Sequence, residues 1–152
     1  MSFDGSGPKV IPDLEQTFLA DAGYTAPAVG DPVYISSDDG KSSKVSLCTG
    51  PNPAFVGFVQ SVIPTDAFGN KLLNVYVFGH RIRCKNTSGS ALSAGNVVTS
   101  GNGGISVLSV VTALDTAFPL TLTIAAINAQ MNRRGVVAVG GANNAMVQII
   151  FG

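Results

Sequence analysis

The strongest constraint on this chain is an order of short words that occurs twice. The first half reads Val29-Gly30-Asp31-Pro32-Val33-Tyr34, a turn at Gly40, Val56-Gly57-Phe58-Val59, and then Val75-Tyr76-Val77. The second reads Ala94-Gly95-Asn96-Val97-Val98-Thr99, a turn over residues 101–104, Arg134-Gly135-Val136-Val137, and then Val147-Gln148-Ile149. In both, a Gly-Asp/Asn pair opens a strand, glycine turns it back, and a Gly-led strand precedes an alternating one. The interval is 27 residues from Gly30 to Gly57 but 40 from Gly95 to Gly135, and the excess falls where Asp115 and Pro119 lie. Three or four strands cannot close a core alone. The repeat therefore predicts two similar halves, about 29–85 and 91–152, sharing one closed or sandwiched β-structure over 29–152.

Local patterns agree with a mainly all-β chain. Val33-Tyr34-Ile35 runs to Ser37-Asp38-Asp39-Gly40, and Val45 and Leu47 alternate beyond it, which reads as a hairpin. A second hairpin joins Val97-Val98-Thr99 to Ile105 and Val107. The near-continuous apolar run 55–62, the alternation at 75–78, the pair Ile82 and Cys84, and the segments 136–139 and 146–151 complete the strands. One segment, 124–134, reads as a short helix, with Ile124, Ile127 and Met131 at i, i+3, i+7 and Arg133 and Arg134 in the last turn before Gly135.

Residues 1–28 have a different character. Asp4, Asp13, Glu15 and Asp21 stand against Lys9 alone, among the breakers Gly5, Gly7, Pro8, Pro12 and Pro27. Within them, 12–20 predicts two helical turns, with Leu14 four residues before Phe18 and acids at the start. A helix that short is marginal alone. The segment reads as an N-terminal arm that orders by packing on something else, with Phe3, Leu14, Phe18 and Leu19 as its apolar contacts.

Composition narrows the function. Only 12% of the 152 residues are charged, about half the roughly 25% usual in soluble domains. A surface so short of charge fits one covered by copies of itself or by another protein. The first thirty residues hold one cation and no apolar run of seven, which argues against a secretory signal. The richest apolar stretch, 105–127, is interrupted by Asp115 and Pro119, so no membrane span is expected. Cys48 and Cys84 read as two buried thiols, with a bridge between paired strands left open.

Chemistry is sparse. There is one histidine, His80, and one glutamate, Glu15. No Gly-x-Ser-x-Gly elbow places a serine, and Cys84 four residues from His80 has no supporting signature. Asp38-Asp39-Gly40 is a turn before it is a calcium loop. Three Cys and His in total are too few and too spread for zinc. The glycine runs lack the lysine of a phosphate loop. No catalytic residue, metal or cofactor is expected, and the chain is not read as an enzyme.

One electrostatic pattern stands out. In His80-Arg81-Ile82-Arg83-Cys84-Lys85 a strand puts Arg81, Arg83 and Lys85 on one face. That is either an ordinary solvated face or a docking stripe for carboxylates. Residues 1–40 carry seven acids and one base, net −6, whereas 41–85 carry six bases and one acid, net +5. Arg81, Arg83, Lys85, Arg133 and Arg134 are the candidate polar contacts to a partner or a neighbouring subunit. With zero net charge, no Trp and no aromatics among the cations, direct nucleic-acid binding is not expected.

Val29-Gly30-Asp31-Pro32-Val33-Tyr34-Ile35 with Asp39-Gly40-Lys41, followed by Phe55-Val56-Gly57-Phe58-Val59, resembles the small head decoration (cement) proteins of tailed bacteriophages. So do Ala91-Leu92-Ser93-Ala94-Gly95-Asn96-Val97-Val98, Arg134-Gly135-Val136-Val137 and Met146-Val147-Gln148-Ile149. The match covers about residues 29–152, without the arm or the insertion at 111–132. It departs where Asn96-Val97 stands for the Asp-Pro of 31–32. The resemblance implies a β-barrel or β-tulip-like domain that assembles as a homotrimer, with the major capsid protein as its partner. It implies a site on the exterior of the virion, assembled in the bacterial cytoplasm, where the trimer holds an expanded shell against the pressure of packaged DNA. The alternative is another virion or surface structural module: a tail or spike component, or a carbohydrate-binding β-domain.

Overall fold

The structure, a computed structural model, describes residues 15–38, 40, 42–65, 69–76, 80–108 and 131–152. Ten strands occur among them. The first five are β1 (Glu15–Ala20), β2 (Pro32–Asp38), β3 (Ser43–Leu47), β4 (Phe55–Ile63) and β5 (Leu72–Tyr76). The others are β6 (Arg81–Lys85), β7 (Val97–Gly101), β8 (Gly104–Val107), β9 (Gly135–Val139) and β10 (Met146–Phe151). The all-β expectation holds. Most of the helix expected over 124–134 lies outside the described residues, which resume at Met131 with a helical end that turns at Asn132 into β9.

The same wiring is used twice. The first sheet runs β1-β3-β2-β4-β5 and closes as a barrel because β5 also pairs antiparallel with β1. Its seam is short: only Leu19 and Ala20 pair, in parallel, with Lys44 and Val45 of β3. In the second sheet β6 pairs with β10, β10 with β9, β9 with β7 and β7 with β8, all antiparallel. The parallel bridge Asn86↔Ile105 stands where β1 meets β3 in the first. Strands β1 to β5 thus map in order onto β6 to β10. The repeat legible in the sequence is therefore a repeat of topology, and its unit begins one strand earlier than the words suggest. β6 belongs with the second sheet, although its residues fall in the segment 29–85.

Backbone bonds show why Gly-Asp/Asn recurs. In each half the turn closes from the amide of Asp31 or Asn96 to the carbonyl of Ala28 or Ser93, both at 3.1 Å. The Asp31 or Asn96 side chain accepts the Ala28 or Ser93 amide at 2.9 and 2.8 Å. Gly30 and Gly95 donate to Val59 and Val137 at 2.8 Å, and these return a bond to Asp31 and Asn96 at 2.9 Å. Both glycines sit at positive φ, +91° and +89°, where a turn of this kind needs a residue without Cβ.

Residues 15–20 are a strand, not the expected helical turns. The Leu14–Phe18 spacing suggested a helix, but a turn of helix makes few bonds, whereas five residues of β1 register against β5. Phe18 faces inward and is 7% exposed. This part of the expected arm is a wall of the barrel.

Two cores result. Phe18, Tyr24, Val33, Val45, Val59, Leu73 and Val75 fill the first. Ile82, Cys84, Leu92, Val98, Ile105, Val137, Val147, Ile149 and Phe151 fill the second, and β4 sends Phe58 into it. Phe58 packs edge-to-face on Phe55 and Phe151, centroids 5.3 Å away in each case, contacts worth about 0.5–1.5 kcal/mol each beyond area burial. The halves also meet at Gly30, where an added Cβ would collide with the Arg83 carbonyl oxygen. Its counterpart Gly95 has open space around it among the described residues. Gly95→Ala should cost about 1–2 kcal/mol, from positive φ alone. Gly30→Ala should cost about 3 kcal/mol or more, because overpacking adds to the same strain. Urea denaturation midpoints check the pair; equal losses would contradict the close docking at Gly30.

Candidate functional site

The outer face of the second sheet sets three exposed cations beside three exposed large apolar side chains. Along β6 exposure alternates, with Arg81, Arg83 and Lys85 outward and Ile82 and Cys84 buried. The β10 register sets Ile150 opposite Arg81, Gln148 opposite Arg83 and Met146 opposite Lys85. β9 lies beyond, with Val136 opposite Ile150 and Val139 opposite Gln148. Met146 and Ile150 are each 47% exposed and Val139 is 56% exposed. A row of cations therefore borders rows of exposed apolar side chains, about 7 Å apart along a strand and about 4.8 Å between strands. A shallow groove of about 190 Å³ runs between Arg83, Val139, Met146 and Gln148.

The three cations make no side-chain hydrogen bond or ion pair with the described residues. Two unit charges 7 Å apart in water repel by about 0.6 kcal/mol, so the row is held by the strand and relieved by nothing nearby. The far edge of β6 is occupied, because Gly30 lies on the Arg83 carbonyl. What remains accessible is a face of side chains rather than a bare strand edge.

Three acids of the first half, Asp21, Asp31 and Asp38, are committed locally. Asp21 accepts from Ser36 Oγ at 2.7 Å and the Gly23 amide at 3.2 Å. The Ser36 bond is the main reason its carboxyl lies below the usual range. Asp31 accepts from Tyr24 Oη at 2.6 Å and the Ala28 amide. Asp38 accepts from the Gly40 amide at 2.7 Å and Ser43 Oγ at 2.6 Å.

The other candidates scatter. Phe18 is a core residue, so it is not a free arm contact: its ring fills the barrel that β1 helps to close. Leu19 is half-buried and lines two hollows at the barrel seam, of about 230 and 560 Å³. Phe3 and Leu14 lie outside the described residues. Arg133 is exposed. Arg134 instead clamps the halves together: its guanidinium lies 4.6 Å from the Phe55 ring centroid and donates to the Asn52 carbonyl at 3.0 Å. Partial burial lowers its pKa, which marks a cation withdrawn from solvent.

His80 stacks on Tyr76 with centroids 4.4 Å apart. Both thiols are free and buried, and burial pushes Cys48 up to about 11 and Cys84 up to about 12. Among the described residues no three His, Cys, Asp or Glu side chains cluster as metal ligands. None of their helices is long and apolar enough to cross a membrane. Sequence reasoning missed Met146, Ile150 and Val139 as partners of the cationic row. Their alternation was visible, but the pairing of β6 with β10, between segments more than sixty residues apart, was not.

No family model matches the chain, and no curated protein matches it. Among solved structures it is similar to the N base of the head fiber protein gp8.5 of bacteriophage phi29. The two are 15% identical with a TM-score of 0.49, over 91% of this chain and 92% of that one. A likeness of that size carries no functional inference.

Two outcomes follow from the geometry. Arg134→Ala should destabilise the fold by about 1–3 kcal/mol through the lost Phe55 and Asn52 contacts, while Arg133→Ala stays within about 0.5 kcal/mol. Thermal melts of both would show it, and equal effects would contradict the clamp. For pH, the raised thiols keep their protons in the folded state while the unfolded chain releases them from the ordinary value of 9.0 upward. Tyr24, raised by burial and then by Asp31, acts in the same direction. The unfolded state then binds fewer protons, so stability falls from pH 9 to about 12. Denaturant midpoints should fall across that window, and less steeply for Cys84→Ala; parallel curves would contradict the assignment.

Proposed function

We propose that this chain is a non-enzymatic structural protein of a tailed-phage head. In this reading it binds the outer surface of the expanded shell as a homotrimer and resists the pressure of packaged DNA, with the major capsid protein as its partner. The observation that carries the reading is the face of β6, β10 and β9, where cations without partners among the described residues adjoin exposed apolar side chains. Exposed apolar groups beside unmatched charge are what an adhesive surface requires.

The family-like words support the same reading. Val29–Ile35 makes the first turn and most of β2, Phe55–Val59 opens β4, and Arg134–Val137 and Met146–Ile149 supply β9 and β10. The homotrimer and the exterior location come from that resemblance. Adhesion would be multivalent: linked weak contacts raise avidity by orders of magnitude. A protein that binds only the assembled shell stabilises it by mass action.

Purified protein mixed with expanded and unexpanded phage heads and then sedimented gives the test. The expected result is saturable binding to the expanded form, in multiples of three copies per threefold position, with a higher rupture temperature of the decorated heads. No binding to any expanded head would overturn the reading.

A further inference from the structure

We infer that the outer face of β6, β10 and β9 docks an acidic, apolar-studded surface on the shell, so that the second sheet lies against the shell and the first barrel projects away. This rests on the reading above and names the partner chemistry of that same site.

Charge selects the partner's sign. Residues 77–152 hold five bases and one acid, net +4, whereas 15–76 hold three bases and six acids, net −3. Three of the five bases lie in one row on β6, without partners among the described residues. Apolar exposure selects its class. Met146, Ile150 and Val139 border the row, and a duplex phosphate backbone offers nothing to cover them, whereas a protein surface with alternating carboxylate and apolar side chains does. A second copy of this chain would have to use acids other than Asp21, Asp31 and Asp38, each of which already holds two local donors, and the test below separates that outcome. The mode is face-to-face, because the free edge of β6 is blocked at Gly30.

The test uses the full chain as Arg81→Gln/Arg83→Gln/Lys85→Gln, with Lys44→Gln/Lys71→Gln on the first sheet as control. A Met146→Ser/Ile150→Ser variant probes the apolar rows. All three target side chains at least partly exposed, and their melting curves verify that they fold. In the sedimentation assay the triple variant should bind expanded heads at least about tenfold more weakly at low salt, from the loss of three exposed charge pairs. Its residual binding should vary little with salt, while wild-type binding weakens as salt rises. The apolar variant should bind more weakly at all salt concentrations, and the control should match wild type. Wild type that binds alongside an equally binding triple variant overturns this inference alone. Wild type that binds no head overturns it together with the reading it rests on. A triple variant that loses affinity for duplex DNA, or that changes only the association of the protein with itself, assigns the face to another partner and also overturns it.

Discussion

The structure depends on how two identically wired sheets are locked together. Phe58 leaves the first sheet to fill the second core and meets Phe55 and Phe151 edge-to-face. Arg134 lies over Phe55 and holds the Asn52 carbonyl, while Gly30, lacking a Cβ, leaves room for the Arg83 carbonyl of β6. Ser100 adds a bond to the Gly50 carbonyl at 3.0 Å and Gly103 one to Cys48, also at 3.0 Å. These contacts join the closed barrel and the second sheet, each with its own core, into one body.

That lock also decides what is left for function. Because Gly30 covers the edge of β6, the Arg81–Arg83–Lys85 row is displayed on a face. Because Arg134 is drawn into the joint, it is not part of that display, although it stands beside Arg133 in the sequence. In the matching registers against β5 and β10, Phe18 of β1 corresponds to Cys84 of β6, so both halves bury a side chain at that place.

Much of this was legible. Period-two alternation located β6 and β10, the second hairpin located β7 and β8, and the paired Gly-Asp/Asn words located turns whose hydrogen bonds match atom for atom. The β6 cations were identified from alternation alone, since a strand face needs only parity. Three things were not legible. Residues 15–20 became a strand because β5, more than fifty residues away, offers a ladder that outweighs a weak helical spacing. The two arginines 133 and 134 received different roles because only the fold brings Phe55 and Asn52 to one of them. The apolar side chains beside the β6 cations needed the β6–β10 register, which is a property of the sheet rather than of either strand.

The central claim is that the second sheet meets the shell and the first barrel does not. Electron cryomicroscopy of saturated expanded heads tests it most directly. The account predicts density in which β6, β10 and β9 face the shell, with Arg83 and Met146 at the contact and the barrel of β1–β5 outermost. Heads on which the barrel touches the shell and the Arg81–Lys85 row faces solvent would contradict it.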